Sequence, residues 1–141
     1  MSGQVVVVDT NVFISARNRR ERAFAVCRHI LDQVDSGSLR AIVSTVTIAE
    51  LRAGLSPEEI PTTWRAMLTH LLTSPNYRVE PVDAEISEAA GEIRAEANVS
   101  LPDALILATG KLRGAAFLVT QDKDLAKQQI ALAVKIPQDV G

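Results

Sequence analysis

The sequence predicts an α/β protein in which a central parallel sheet of about five strands is covered by helices on both faces. Three observations lead there. Short apolar runs alternate along the chain with stretches of helical periodicity. Strands separated by helices favour parallel pairing, with both faces of the sheet buried. The 141 residues are 47% hydrophobic and 23% charged, which fits one ordinary globular domain, 1–141, with a sizeable core.

Taken in order, Val5–Val8 is a run of four β-branched residues and reads as a buried strand. Glu21–Val34 reads as a helix, with apolar Phe24, Cys27, Leu31 and Val34 at spacings of three and four and Gly37 as a stop signal. Ala41–Val43 is the second strand. Thr45–Leu55 follows as a helix with Ile48, Leu51 and Leu55 on one stripe. Ser56-Pro57-Glu58-Glu59 has the form of a helix start, with Ser56 as N-cap and Glu59 closing a capping box. Trp64, Met67, Leu68, Leu71 and Leu72 continue at helical spacing. Arg78–Val82 is the third strand, and Asp83 caps a helix over Ala84–Ala97. Ser100 caps Leu101–Arg113, which Gly114 ends. Ala116–Val119 and Leu132–Ile136 complete the sheet.

Composition removes several classes of function. Lys and Arg number 15 against 17 Asp and Glu, a net charge of −2, so no overall basic field marks a nucleic-acid binder, though a local patch stays open. Cys27 is alone, which excludes an intrachain disulfide and a Cys-rich zinc site. His29 and His70 form no metal-binding pair. The start of the chain lacks the basic segment and cleavage site of a signal peptide, and no apolar run approaches the ~18 residues of a membrane span. A soluble, cytoplasmic protein is the expectation.

Ligands of open parallel sheets bind beyond the carboxyl ends of the strands, and four acids stand out there. Asp9 follows the first strand directly; as a helix cap it would also be ordinary. Glu50 points away from its helix's apolar stripe, alongside Val46, Ala53 and Gly54. Leu101, Leu105, Ala108 and Leu112 have the spacing of a core stripe. Asp103 lies on the other side with Ile106, Leu107 and Gly110, as the only charge between Leu101 and Gly110. Asp122 follows the fourth strand, with Asp124 the better candidate for a helix-start role. Two bare carboxylates ~4 Å apart repel by ~4 kcal/mol at an effective dielectric near 20, so four in one cleft need compensating cations. Oxygen donors without His or Cys suit Mg²⁺ or Mn²⁺ rather than zinc. A water activated by such an ion points to phosphodiester hydrolysis.

The segments Val8-Asp9-Thr10-Asn11-Val12-Phe13, Ala49-Glu50-Leu51-Arg52-Ala53-Gly54, Leu101-Pro102-Asp103-Ala104 and Thr120-Gln121-Asp122-Lys123-Asp124-Leu125 resemble, in order, the motifs of the PIN-domain family, above all its VapC-type toxins of prokaryotic toxin–antitoxin pairs. The resemblance spans nearly the whole chain. It implies a three-layer α/β/α PIN-like fold and a Mg²⁺- or Mn²⁺-dependent endoribonuclease leaving 5′-phosphate and 3′-hydroxyl ends. Asp9, Glu50 and Asp103 become its acidic core, with Asp9 and Asp103 the foremost metal ligands. Asp122 matches a fourth position that varies more in the family. Asn11 and Thr120 match polar positions that orient carboxylates. A small VapB-type antitoxin and a homodimer are the implied partners.

Arg17, Arg19 and Arg20 follow the Asp9 motif closely and are candidates to hold RNA phosphates; a solvated surface is the plainer reading. The Trp64–Leu72 segment is read first as core and second as a dimer or antitoxin surface. Two rival functions are carried forward. One is a phosphoryl-accepting receiver-like domain, using Asp9, Asp83, Thr120 and Lys135. The other is a PIN domain used for RNA processing or binding.

Overall fold

The computed structural model describes residues 3–141; Met1 and Ser2, part of the start read above for a signal peptide, lie outside the described residues. A five-stranded, wholly parallel sheet runs through the molecule, built from β1 (Gln4–Val8), β2 (Leu39–Ser44), β3 (Tyr77–Glu80), β4 (Phe117–Val119) and β5 (Ala133–Lys135). Its spatial order is β3-β2-β1-β4-β5. The chain works outward in one direction from β1 to β3, then returns to the other side of β1 to add β4 and β5. The order therefore reverses between β1 and β4, and such a switch point opens a crevice at the strand ends.

Among the described residues seven α-helices connect and flank the strands: α1 (Thr10–Arg17), α2 (Phe24–Asp35), α3 (Thr45–Ala53), α4 (Arg65–Thr73), α5 (Ala84–Glu96), α6 (Leu101–Leu112) and α7 (Lys123–Gln128). The sheet divides the apolar interior into two cores. Val6, Val8, Ala41 and Val43 face one, packed with Phe13, Ile30, Val34, Leu51 and Leu71. Val7, Ile42 and Leu118 face the other, packed with Ile86, Ala90, Ile106 and Leu107. The alternation of Val6 and Val8 against Val7 is the period of two of a strand buried on both sides. The predicted β-branched run has this cause.

Local signals set most boundaries. Asp83 accepts the Ile86 N–H at 2.9 Å and Ser100 accepts the Asp103 N–H at 3.2 Å, so both predicted caps form. Gly37 and Gly114 both adopt φ +85° just past α2 and α6, the left-handed conformation in which glycine ends a helix without steric cost. Helix α2 begins at Phe24 rather than Glu21 and has no side-chain cap. The Ser56 start opens a single 3₁₀ turn (Pro57–Glu59) and a wide turn (Ile60–Trp64) before α4. There Glu59 accepts from the Ser56 N–H at 3.1 Å and its hydroxyl at 3.0 Å.

The faces of α6 correct the expected stripe. Leu101 and Leu112 are exposed at 52% and 37%, whereas Ile106, Leu107 and Gly110 are buried. The side carrying Asp103 is the one laid on the sheet. A Cβ on Gly110 would fall 2.6 Å from Val7 Cγ1 and 2.8 Å from Leu132 Cδ2, closer than packed carbons approach. The missing side chain lets α6 lie close against β1, which brings Asp103, two turns earlier, to the strand ends. The Trp64–Leu72 segment is mostly core. Trp64 and Leu71 are buried, Met67 and Leu68 pack at the core's edge, and Leu72 is exposed at 60%. Among the described residues no helix is long and apolar enough to cross a membrane.

Candidate functional site

Asp9, Thr10, Asn11, Ile14, Glu50, Asp103 and Asp122 line one open cleft of about 360 Å³, at the switch point. The four predicted acids thus arrive together from four elements. Asp9 ends β1 and caps α1, Glu50 projects from α3, Asp103 from the first turn of α6, and Asp122 caps α7. Among the described residues no Lys, Arg or His lines the cleft. Asp124 lies in the first turn of α7 and is not among the lining residues.

Asp9 is the most constrained of them. Its backbone N–H donates to Val119 O at 3.0 Å, extending the β1–β4 ladder by one bond. Oδ1 accepts the Thr10 N–H at 2.8 Å, and Oδ2 accepts the Thr120 hydroxyl at 2.7 Å and the Asn11 amide at 3.3 Å. Asn11 Nδ2 also reaches Thr120 Oγ1 at 3.1 Å. The two polar residues predicted to orient carboxylates therefore both hold the same one. The side chain is 5% exposed, and burial pushes its pKa up to about 6. Asp103 and Glu50 add to the rise, while the Thr120 and Thr10 bonds oppose it. Asp103 is also raised by burial, with Asp122 and Glu50 contributing and Ser100 opposing.

The structure adds residues that the sequence did not single out. Thr10 Oγ1 lies 2.6 Å from Glu50 Oε1 and 3.0 Å from Thr47 Oγ1; with one proton to give, the Thr10 hydroxyl gives it to the carboxylate. Thr47 is completely buried, so this contact fixes Glu50 on an otherwise exposed helix face. Its small neighbours Ala53 and Gly54 are exposed. Nothing in the sequence marked Thr10 or Thr47, since neutral hydroxyls at such positions are common helix-start residues. Ile14, 44% exposed, is the one large apolar side chain among the described residues that line the cleft.

The predicted arginines are divided. Arg17 is engaged by Glu59 at 3.3 Å and sits beside an apolar hollow formed with Phe13, Leu31, Met67 and Tyr77. Arg19 and Arg20 lie in the exposed turn between α1 and α2 and form no ion pair among the described residues.

Among the described residues no group of three Asp, Glu, His or Cys side chains is drawn together tightly enough to hold an ion alone. The donor set nevertheless fits a hard divalent cation. It is all oxygen, Asp9 and Asp103 are pushed toward protonation by burial and by the neighbouring carboxylates, and among the described residues no cation lines it. Mg²⁺ suits such a set, because it keeps several waters and takes one or two carboxylates together with substrate phosphates.

The fold and site together define an open parallel α/β protein with an uncompensated acidic cleft at its switch point. A PIN domain family model matches residues 6–130, and the chain belongs to the PIN domain family. Solved structures share the fold. VapBC2 from Rickettsia felis, bound to a DNA fragment from its promoter, has a chain 18% identical, with 94% of this chain and 98% of that one covered and a TM-score of 0.70. DNA-bound VapBC from Salmonella typhimurium has one 20% identical, covering 97% and 99%, with a TM-score of 0.70. VapC20 from Mycobacterium tuberculosis, a Sarcin-Ricin loop cleaving toxin, is 20% identical over 80% of this chain and 86% of its own, with a TM-score of 0.63. A search of curated protein sequences gave no match.

Proposed function

We propose that this chain is a divalent-metal-dependent endoribonuclease and the toxin of a VapBC-type pair, with Asp9, Asp103, Glu50 and Asp122 as its working carboxylates. The observation that carries the reading is the convergence of four acids, with no basic side chain among the described residues, in a cleft at the carboxyl ends of a parallel sheet. The fold shared with VapBC proteins, one of them described as cleaving the Sarcin-Ricin loop, supports RNA as substrate and a small VapB-type antitoxin as partner.

Asp9 and Asp103 are the residues to hold Mg²⁺ or Mn²⁺, with Asp122 and Glu50 alongside. When bound, the ion polarises the scissile phosphate and stabilises charge on the leaving oxygen. Thr120, Asn11 and the Thr10 N–H keep the Asp9 carboxylate in one orientation. Asp122 spends Oδ1 on the N–H groups of Asp124 and Leu125 at 3.0 and 3.1 Å, which leaves Oδ2 toward the cleft's chemistry. Glu50 has Oε1 fixed by Thr10 and Oε2 free to take the proton of an attacking water. That water forms a bond to phosphorus as the P–O3′ bond breaks, giving 5′-phosphate and 3′-hydroxyl ends.

The receiver-like rival finds no support in the geometry. The observed order β3-β2-β1-β4-β5 differs from the 2-1-3-4-5 order of flavodoxin-like receivers. Lys135, which that mechanism needs at the acid, instead places its ammonium 4.5 Å from the centre of the Phe117 ring.

The test is cleavage of defined RNAs by the purified, antitoxin-free protein with Mg²⁺, with Mn²⁺ and with chelator. Metal-dependent internal cleavage is expected. RNA left intact with either ion, by a folded protein, overturns the reading.

A further inference from the structure

The strand-end segment Thr120-Gln121-Asp122 divides its work by direction. Thr120 and Asp122 turn toward the acidic cleft, and Gln121 between them turns to the body of α1. Gln121 makes three hydrogen bonds there, all across more than a hundred residues of sequence. Its backbone N–H donates to Asn11 Oδ1 at 3.1 Å. Its side-chain amide donates to the Asn11 carbonyl at 2.8 Å and to Ser15 Oγ at 2.7 Å. Ser15 is 4% exposed and passes its own proton to Glu21 at 3.3 Å, so the chain of bonds continues into the turn that carries Arg19 and Arg20.

The consequence falls on Asn11. An amide has one acceptor end and one donor end. With Oδ1 held by the Gln121 N–H, Nδ2 must face the other way, and there it meets Asp9 Oδ2 and Thr120 Oγ1. The backbone bond sets which way the Asn11 amide points. The side-chain bonds hold α1 at the distance from β4 at which that bond survives. Without them, α1 and the β4 end are joined at this level only through the groups that also orient Asp9.

We propose that Gln121 is a positioning residue of the acidic cleft. It ties α1 to the end of β4 and thereby keeps the Asn11 amide aimed at Asp9. The role rests on the nuclease reading for its effect on turnover, and on geometry alone for its effect on Asn11.

Three measurements on the full chain test it, using Gln121→Met, which keeps the length and bulk of the side chain without its donors, and Gln121→Ala. The first is NMR of the Asn11 side-chain amide, needing neither metal nor RNA. Slow proton exchange is expected in the parent protein and exchange at least several-fold faster in both variants. The second is Mn²⁺ binding by calorimetry, expected to weaken by about tenfold or more in both, as for other groups that orient metal ligands. The third is RNA cleavage, with kcat expected to fall by a similar factor and KM for RNA unchanged. Should Gln121→Ala fail to fold, Gln121→Met and Ser15→Ala carry the same test; Ser15→Ala removes one acceptor only, and a smaller change in the same direction is expected. A Gln121→Met protein with parent-like Asn11 exchange, or with parent-like Mn²⁺ affinity, shows that the residue only fills space and overturns the proposal. A parent protein that cleaves no RNA sinks the nuclease reading, and the Asn11 resonance still decides this one.

Discussion

Two groups of acids in this molecule have opposite electrostatics. At the end of α6, Arg113 stands among Asp83, Glu85 and Glu80 at 2.6, 3.3 and 3.5 Å, and Arg78 reaches Glu80 at 2.7 Å. In the cleft, Asp9, Glu50, Asp103 and Asp122 meet with no basic side chain among the described residues. The first group is closed: its carboxylates are already matched by guanidinium forks. The second is held together by backbone caps and hydroxyls, which orient carboxylates without neutralising them. A count of acids does not separate a structural cluster from a chemical one; the missing counter-charge does.

Substitutions at the two groups should therefore behave in opposite ways. Asp9→Asn and Asp103→Asn are expected to lower RNA cleavage by more than about 100-fold, beyond the range seen when only an orienting neighbour is lost, while the fold is retained. Arg113→Ala is expected to leave cleavage at the parent rate and to lower the midpoint of thermal unfolding by a small amount, since exposed ion pairs contribute little. Single-turnover assays beside melting curves read both. Parent-like cleavage by either Asp→Asn variant would remove that residue from the site.

The second contrast is with pH, in the absence of metal. Asp9 titrates at about 6 in the folded protein against 3.8 unperturbed. Between those values the folded state binds more proton than the unfolded one, so stability falls as pH rises through the window. The full difference is on the order of 3 kcal/mol. Asp103 shifts in the same direction and adds to the slope. Urea unfolding from pH 4 to 7 should show this decline, Asp9→Asn should flatten most of it, and Mg²⁺ should stabilise more above pH 6 than below. Stability rising over that interval, with Asp9→Asn leaving the slope unchanged, contradicts an uncompensated Asp9.

A third prediction concerns how Asp103 reaches the cleft. Gly110→Ala places a methyl group against Val7 and Leu132, and overpacking of this kind costs about 1–3 kcal/mol. Because α6 must lift from the sheet to admit it, Asp103 is displaced as well. Denaturant melts should show the lost stability and metal titration a weakened affinity; a loss of stability with unchanged metal binding would mean that α6 adjusts only near Gly110.

How much of this was legible in the sequence varies with the kind of interaction. Val5–Val8 could be read because a strand buried on both sides needs apolar residues at every position, and no helix surface does. Ser100 and Asp83 were legible as caps because their partners lie three residues on. The orientation of α6 was not, because the helix is apolar nearly all round and a wheel cannot rank its two faces; the space taken by Val7 and Leu132 ranks them. The acids were visible singly, through strand ends and unexpected helix faces. Thr10, Thr47 and Gln121 were not, because neutral polar side chains act here through partners supplied by distant parts of the chain, as with Gln121 and Asn11. Cap signals at Ser56 marked a start but not its form: a 3₁₀ turn and a wide turn precede α4.

The smallest expected effect bears on how a cleft rich in acids attracts a polyanion at all. The cations of the closed cluster are committed to carboxylates, and so is Arg17, through Glu59. Arg19 and Arg20 are exposed and unpaired among the described residues, in the turn joined to the cleft by Ser15 and Glu21. If they hold RNA phosphates, each released counterion contributes a slope of about 0.7 in log affinity against log salt for single strands. Replacing both by Ala should lower the magnitude of that slope by about 1.4, weaken binding at low salt and leave Mn²⁺ affinity untouched. The measurement belongs in the Asp103→Asn background, where the RNA survives, with Arg17→Ala as the matched control. Because Arg17 is already neutralised by Glu59, its removal should change the slope less than the loss of either unpaired arginine. An equal change for all three assigns the effect to net charge alone; no change for any moves the RNA path off this turn.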